Sequence, residues 1–418
     1  ADFKREDKKV IFKEMALLKV VGNKKKIENF KNYISPIQEP GINELLKSNL
    51  NKKINFNYNF KMLANHKIVW ICYDTEIDKK DKSDNAKTLS QIKRILKYVR
   101  KKTVIIISSQ VQLGTIKTLE KFDKLYLKKN LLFIYIPENL RLGNSIKLFL
   151  KPERIVFGIR DEEKYKKKIG GIFNKISCEK IFVSPETAEM TKHTINSFLA
   201  CSISFINEIG QIAKKFGINF DDLEKCIKSD KRLGKFSYLR PGVPFSGGTL
   251  ARDLKFLAHI SSKYKTNNNL IKSIYRSNKK HSDWVKKVLK KNIKNKKTSI
   301  LQVGIGYTEN SSTIRRSFPF QIFKFIYKKC NVKIFDDYIR DNSNEIFNYK
   351  KYFLHKNQSK KNAFDIILIF KRVKNIDFSS QIDLSKSLVI DVNSTNKNLF
   401  LSNNINYLSY ETVKNKKI

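Results

Sequence analysis

The 418-residue chain is short of cysteine, of acidic residues and of long apolar runs, and each shortage removes a class of protein. Its five cysteines, Cys72, Cys178, Cys201, Cys226 and Cys330, are far apart and show neither CxxC nor Cys/His ligand spacing. That argues against a disulfide framework and against a metal site, and fits a reducing, cytoplasmic setting. The longest apolar run, Phe198 to Ile206, is broken by serines and followed by Asn207 and Glu208. It falls well short of the roughly 18 residues a bilayer span needs, so no membrane partner is expected. The opening residues, ADFKREDKKVIFKEM, show no hydrophobic signal core and do not begin with Met, which reads as a trimmed or partial start. No repeat of solenoid period is visible.

What is present is a globular composition: 41% hydrophobic and 11% aromatic residues exclude whole-chain disorder. The length is enough for about two to four domains. Lysine and arginine number 85 against 39 Asp and Glu, a formal charge of +46. Such an excess often marks a nucleic-acid partner. Here the lysines are spread evenly among Asn and Ile, without basic and aromatic residues interleaved on one face, so no nucleic-acid partner is expected. The field still attracts anionic ligands, phosphorylated metabolites included.

Apolar β-rich runs alternate with amphipathic segments, the pattern of α/β layers with parallel sheets. Strands are expected at Lys19–Gly22, Lys67–Tyr73, Thr103–Ser109 and Leu131–Pro137, with helices at Ser90–Arg100 and Ile116–Leu127. A second block has expected strands at Ser299–Gly304, Val332–Asp336, Phe364–Phe370 and Leu388–Val392, and a helix at Phe320–Lys329. Between the blocks, Ile195, Phe198, Leu199, Phe205, Ile206, Ile209, Ile212 and Phe216 recur at helical spacing, predicting one long helix from Glu186 to about Phe216. These apolar positions are more than one core stripe requires, which predicts a homodimer. Lys279–Lys297 and Lys356–Lys361 read as solvated surface.

Five stretches carry chemistry. Ile34 to Gly41 (ISPIQEPG) is a turn-rich entry to a helix. Pro137 to Gly143 (PENLRLG) places Glu138 at a strand's carboxyl end, where α/β sheets put their sites. Glu189 to Asn196 (EMTKHTIN) puts Lys192 and Asn196 four residues apart on one helix face, where they need polar partners or a ligand. A solvent-facing stripe is the other reading of that pair. Phe236 to Asp253 (FSYLRPGVPFSGGTLARD) is a loop ending in a carboxylate, and Ser311 to Phe318 holds Arg315 after the turn Val303-Gly-Ile-Gly-Tyr307. Taken singly, Glu138 also reads as a strand-end cap and Arg315 as a surface cation.

In this order and at these separations, the stretches resemble the nucleotide-sugar 6-dehydrogenase family, also called the UDP-glucose/GDP-mannose dehydrogenase family. The resemblance runs from about Lys24 to the end. It implies two Rossmann-like parallel-sheet domains joined by a central helical domain with one long helix. The expected division is 1–180 for NAD binding, N-terminally incomplete, 181–296 for the helical dimerisation and substrate domain, and 297–418 for the nucleotide of the sugar. It implies oxidation of the C6 hydroxyl of a UDP- or GDP-sugar by NAD, supplying uronic acid precursors of surface polysaccharide. The implied catalytic residues are Lys192, stabilising an oxyanion, with Asn196 beside it; Asp253, a base acting with water; and Glu138, releasing an acyl enzyme. Substrate contacts fall on Phe236, Tyr238, Arg240, Gly242, Gly247, Gly248 and Arg315, and NAD contacts on Gly22, Thr75, Gln110 and Arg252.

Three departures touch function. Where the family has Gly-Gly, a small residue and a nucleophilic Cys, this chain reads Gly247-Gly248-Thr249-Leu250-Ala251-Arg252-Asp253, one residue shorter and without the thiol. Cys226, the nearest cysteine upstream, reads as a buried structural thiol, and Thr249 has no adjacent His to activate it as a replacement. The family's Ser-Thr after the third strand is Ser109-Gln110 here. The GxGxxG turn expected before Lys19–Gly22 is missing, leaving only Gly22, either through truncation or through true loss. Two readings follow from the resemblance: an active Cys-less oxidoreductase, supported by Lys192, Asn196, Asp253 and Glu138, or a catalytically impaired nucleotide-sugar-binding paralogue. Nucleotide-sugar binding is expected to survive, with little NADH formed and no completed four-electron oxidation.

Overall fold

The computed structural model describes residues 24–35, 39–50, 56, 59–73, 75, 85–141, 143–234, 236–246, 248–307, 313–339, 344–354, 362–373, 382–401 and 405–410. The expected strand Lys19–Gly22, with Gly22, lies outside them, as do Gly247 and 356–361. Two compact units divide the chain, Ala1–Ile195 and Asn196–Ile418.

The first unit runs α1 (Lys24–Lys31), α2 (Ile42–Asn49), β1 (Ile68–Ile71), α3 (Asn85–Leu96), β2 (Val104–Ile107), α4 (Thr115–Phe122), β3 (Leu132–Tyr135), α5 (Ser145–Leu150), β4 (Arg154–Gly158), α6 (Glu162–Phe173) and β5 (Glu179–Val183). The strands pair in chain order, all in parallel except the antiparallel pairing of β3 with β4 at Tyr135 and Gly158. Side chains alternate across this sheet. Val69, Ile71, Ile105, Ile107, Phe133 and Tyr135 enter one core, and Val104, Ile106, Ile134, Ile155 and Phe157 enter the other. Coverage of both faces explains why β2 is the unbroken apolar run Val-Ile-Ile-Ile.

β1, β2 and β3 fall inside the expected runs, trimmed at their ends. β4 and β5 were not anticipated: each opens on a charged residue, and β5 is only partly buried, so neither shows a clean apolar period. The helix expected to Leu127 is α-helical only to Phe122 and closes with a wider π-turn over Asp123–Leu127, ended by left-handed Lys128.

The long helix is α7 (Pro185–Lys215), 31 residues. Proline opens it where no intrahelical N–H partner is needed, Glu186 occupies the first turn and Lys214 and Lys215 the last, matching the helix dipole. The second unit continues with α8 (Phe220–Ser229), α9 (Thr249–Lys263), α10 (Asn269–His281), α11 (Asp283–Asn292), β6 (Ser299–Val303), α12 (Phe318–Ile326), β7 (Asn331–Phe335), β8 (Asn362–Ala363), β9 (Ile366–Ile369), β10 (Ile382–Asp383), β11 (Leu388–Asp391), α13 (Lys397–Leu401) and β12 (Tyr407–Ser409). Its main sheet is wholly parallel in the order β12-β11-β9-β6-β7. This is a doubly wound order, and its switch point, where such sheets bind ligands, lies at the carboxyl ends of β6 and β9. β8 and β10 form a separate parallel pair. Cys226 corrects the sequence reading: it is exposed, because α8 packs inward through Phe220, Leu223 and Ile227, a face that leaves Cys226 out.

Candidate functional site

In the first unit the carboxyl ends of β1, β2 and β3 lead into three loops. The Thr75 hydroxyl donates to the Gln110 carbonyl at 2.5 Å, tying the β1 loop to the β2 loop. Trp70 Nε1–H donates to Ser108 Oγ at 2.8 Å, while the neighbouring Ser109 Oγ is buried with no hydrogen-bond partner among the described residues. Past β3, Glu138 is exposed and accepts the Leu140 N–H at 2.8 Å, so it caps its own turn. Its neighbour Asn139 accepts from Lys192 Nζ at 3.5 Å.

Lys192 belongs to a buried polar face of α7 made by Glu189, Lys192, His193 and Asn196. These positions are three or four residues apart and therefore stack on one side of a helix. Glu189 accepts the N–H groups of Gly114 and Ile116 at 2.5 and 2.8 Å, capping the start of α4. Burial nonetheless pushes its carboxyl up to about 7, against the pull of those two bonds. His193 Nε2 donates to the Val111 carbonyl at 3.0 Å. Together they fasten the loop after β2, with Gln110, to the turn of α7 that carries Lys192. The solvent-facing reading of the Lys192 and Asn196 pair does not hold, since both are buried.

In the second unit, Asn196 Nδ2 donates to Asp253 Oδ2 at 2.5 Å, and Asp253 is fully buried on the second turn of α9. Arg252 Nε lies 3.6 Å from the other Asp253 oxygen. The buried Asp253 carboxylate is thus held by an amide and flanked by a guanidinium. Gly248 is the N-cap of α9, the helix that presents Asp253.

Upstream, Phe236 is 86% and Tyr238 44% exposed. Arg240 is exposed and pairs with Asp221 and with Glu224, the latter at 3.0 Å. Gly242 is required sterically, because a Cβ there would sit 2.6 Å from Asn393 Oδ1.

At the switch point of the second sheet, Gly304 takes φ 88°, and Asp336 accepts the Ile305 N–H at 2.9 Å. Ser317 caps α12 by accepting the Phe320 N–H at 3.2 Å and bonds back to the Ile305 and Gly306 carbonyls at 2.7 and 3.1 Å. Arg315 is exposed in the turn before α12. Sequence reasoning missed Glu189, His193, Asn207, Asn278, His281 and Asn393. The first two lay inside a quoted stretch, and their spacing from Lys192 and Asn196 was the signal for them.

The UDP-glucose/GDP-mannose dehydrogenase family is matched twice, by its NAD binding domain over residues 11–177 and by its central domain over residues 186–280. The UDP-glucose 6-dehydrogenase of Rickettsia prowazekii is 28% identical over 384 residues, 88% of this chain and 87% of that one. UDP-glucose 6-dehydrogenase YwqF of Bacillus subtilis is 32% identical over 261 residues, 60% of this chain and 58% of that one. Among solved structures, a UDP-glucose dehydrogenase of Pyrobaculum islandicum shares the fold with TM-score 0.76 at 19% identity, covering 90% of this chain and 88% of its own. The UDP-N-acetyl-mannosamine dehydrogenase Cap5O of Staphylococcus aureus does so with TM-score 0.73 at 19% identity, covering 93% and 91%. Thr75 and Gln110, beside the buried Ser109 hydroxyl that has no hydrogen-bond partner among the described residues, lie together at the carboxyl ends of parallel strands, the place where such sheets bind ligands.

Proposed function

Because the chain belongs to the UDP-glucose/GDP-mannose dehydrogenase family of NAD-dependent nucleotide-sugar dehydrogenases, we propose that it binds a UDP- or GDP-sugar and acts on its C6 hydroxyl without the covalent second half of the family reaction. The observation that carries this reading is the buried Asn196–Asp253 hydrogen bond, on the helix that also buries Lys192 one turn earlier. NAD would supply the hydride acceptor when bound. Asp253 takes the hydroxyl proton through water, Asn196 holds the carboxylate in place, and the Lys192 ammonium stabilises the alkoxide that forms. Phe236, Tyr238, Gly248 and Arg315 belong to the substrate side in this reading, and Thr75, Gln110 and Arg252 to the cofactor side.

No thiol stands in the Gly248–Asp253 segment, so the aldehyde has no sulfur to bind and the step that Glu138 would complete, hydrolysis of an acyl thioester, has no substrate. The product of the retained residues is therefore the aldehyde level, formed with one hydride. A role in supplying oxidised sugar precursors for surface polysaccharide, in the cytoplasm, is part of this proposal, as is the division into 1–180, 181–296 and 297–418. Five unpaired cysteines support the reducing compartment, and no helix among the described residues is long and apolar enough to cross a membrane. The partner is a second copy of the chain: Phe198, Phe205, Ile212 and Phe216 are 69%, 57%, 54% and 78% exposed along α7, a stripe that one subunit leaves open.

Asp253→Asn tests the chemistry. Calorimetry with UDP-glucose and GDP-mannose is expected to show binding within about threefold of the parent, while hydride transfer falls about a hundredfold or more, the scale of losing a general base. Undiminished NADH formation would remove Asp253 from the mechanism.

A further inference from the structure

Within the second unit, the segment Arg240–Phe245 is gripped along its backbone by side chains from several other elements. Asn207 of α7 accepts the Gly242 N–H at 2.9 Å. His281, the last residue of α10, donates from Nε2 to the Gly242 carbonyl at 2.7 Å. Burial holds the imidazole below its ordinary range, so at neutral pH it is the uncharged form with the hydrogen on Nε2. Asn393, in the turn after β11, accepts the Val243 N–H at 3.0 Å and donates to the Phe370 carbonyl at the end of β9, also at 3.0 Å. Asn278 of α10 pairs with both backbone groups of Phe245, each at 2.9 Å.

Two further restraints flank this set. Arg240 is fixed by Asp221 and Glu224 of α8, and Asp221 in turn takes Lys397 of α13 at 2.9 Å. Tyr410 OH donates to the Asn207 carbonyl at 2.9 Å, and its ring lies edge-on to His281 with centroids 4.9 Å apart.

Asn207, His281 and Asn278 are 1%, 5% and 9% exposed. A buried amide left unsatisfied is costly, so each of these bonds favours one backbone conformation. None of the four side chains performs a proton or hydride step in the proposed reaction. All four address the backbone of the loop rather than its side chains.

We propose that Asn207, Asn278, His281 and Asn393 are positioning residues that preorganise the Arg240–Phe245 backbone for the nucleotide sugar. The loop then stands in its ligand-bound shape before the ligand arrives, and binding does not have to order it. This rests on the nucleotide-sugar reading of the loop.

Two measurements on the full chain test it. Hydrogen exchange on the ligand-free protein is expected to show the amides of Gly242, Val243 and Phe245 strongly protected. Calorimetry with UDP-glucose and GDP-mannose is expected to show His281→Leu weakening whichever sugar binds by tenfold or more, about 1.4 kcal/mol. His281→Gln, whose amide N–H replaces Nε2–H, is expected to restore affinity to within about threefold, about 0.7 kcal/mol. NAD affinity is expected to stay the same in both variants. Freely exchanging loop amides overturn the proposal even where His281→Leu fails to fold. Equal sugar affinity in parent, Leu and Gln proteins overturns it alone, whereas a parent that binds neither sugar overturns the nucleotide-sugar reading and the proposal with it.

Discussion

Glu189 gives the family helix a pH dependence whose size follows from its surroundings. Its carboxylate is fully buried and caps α4 through Gly114 and Ile116, yet burial lifts it from 4.5 to about 7. Below about pH 4.5 the folded and unfolded chains both hold the proton, and it contributes no pH dependence. As pH rises from there, the unfolded chain releases the proton while the folded chain keeps it, so stability falls by about 1.4 kcal/mol per pH unit. The fall ends near pH 7, after about 3 kcal/mol, an order-of-magnitude figure from the same shift. Glu189→Gln cannot titrate, but leaves one of the two N–H groups without its oxygen, a constant cost of about 1–3 kcal/mol. The variant is therefore expected to be less stable than the parent at pH 5 and to draw level with it or pass it by pH 8. Urea unfolding at pH 5, 6, 7 and 8, in a Trp284→Phe background so that Trp70 of β1 reports on the first unit, measures the difference. Parallel pH profiles for parent and variant would refute the assignment of a raised carboxyl at this position.

Other outcomes follow from packing. Gly158→Ala places a Cβ 2.7 Å from Ala188 Cβ and 2.9 Å from the Pro185 Cα; the overpacking is expected to cost about 1–3 kcal/mol, read as a lower thermal midpoint. An unchanged midpoint would show that β4 and α7 shift apart freely. Phe205→Glu, at the centre of the exposed α7 stripe, is expected to leave the fold intact and convert a dimer to a monomer in light scattering; an unaltered mass would place the subunit contact elsewhere.

Much of the fold was legible where period and burial coincide. β2, β6 and β9 are buried on both faces, and α7 advertises itself by length. β4 and β5 escaped because each opens on a charged residue and shows no clean apolar period, and β12 because it is only three residues long. Lys192 and Asn196 could be chosen from sequence because polar groups on an apolar helix demand partners, and the Asn196–Asp253 bond supplies one; Asp253 itself was legible only through the family resemblance. The residues gripping the Gly242–Phe245 backbone could not. Asn207, Asn278, His281 and Asn393 span 187 positions, with only Asn278 and His281 within one helical turn, and their common target is a set of backbone groups, which leaves no mark in a sequence. Cys226 misled for the opposite reason: it sits beside apolar residues in sequence but on the outer face of α8.

The number of NADH molecules formed per nucleotide sugar consumed tests the central claim most directly. With NAD in excess, a UDP- or GDP-sugar that binds, and hydroxylamine present to trap aldehyde, the retained Lys192, Asn196 and Asp253 and the missing thiol predict no more than one NADH per sugar and an oxime product. Two NADH per sugar, with a uronic acid as product, would contradict the account.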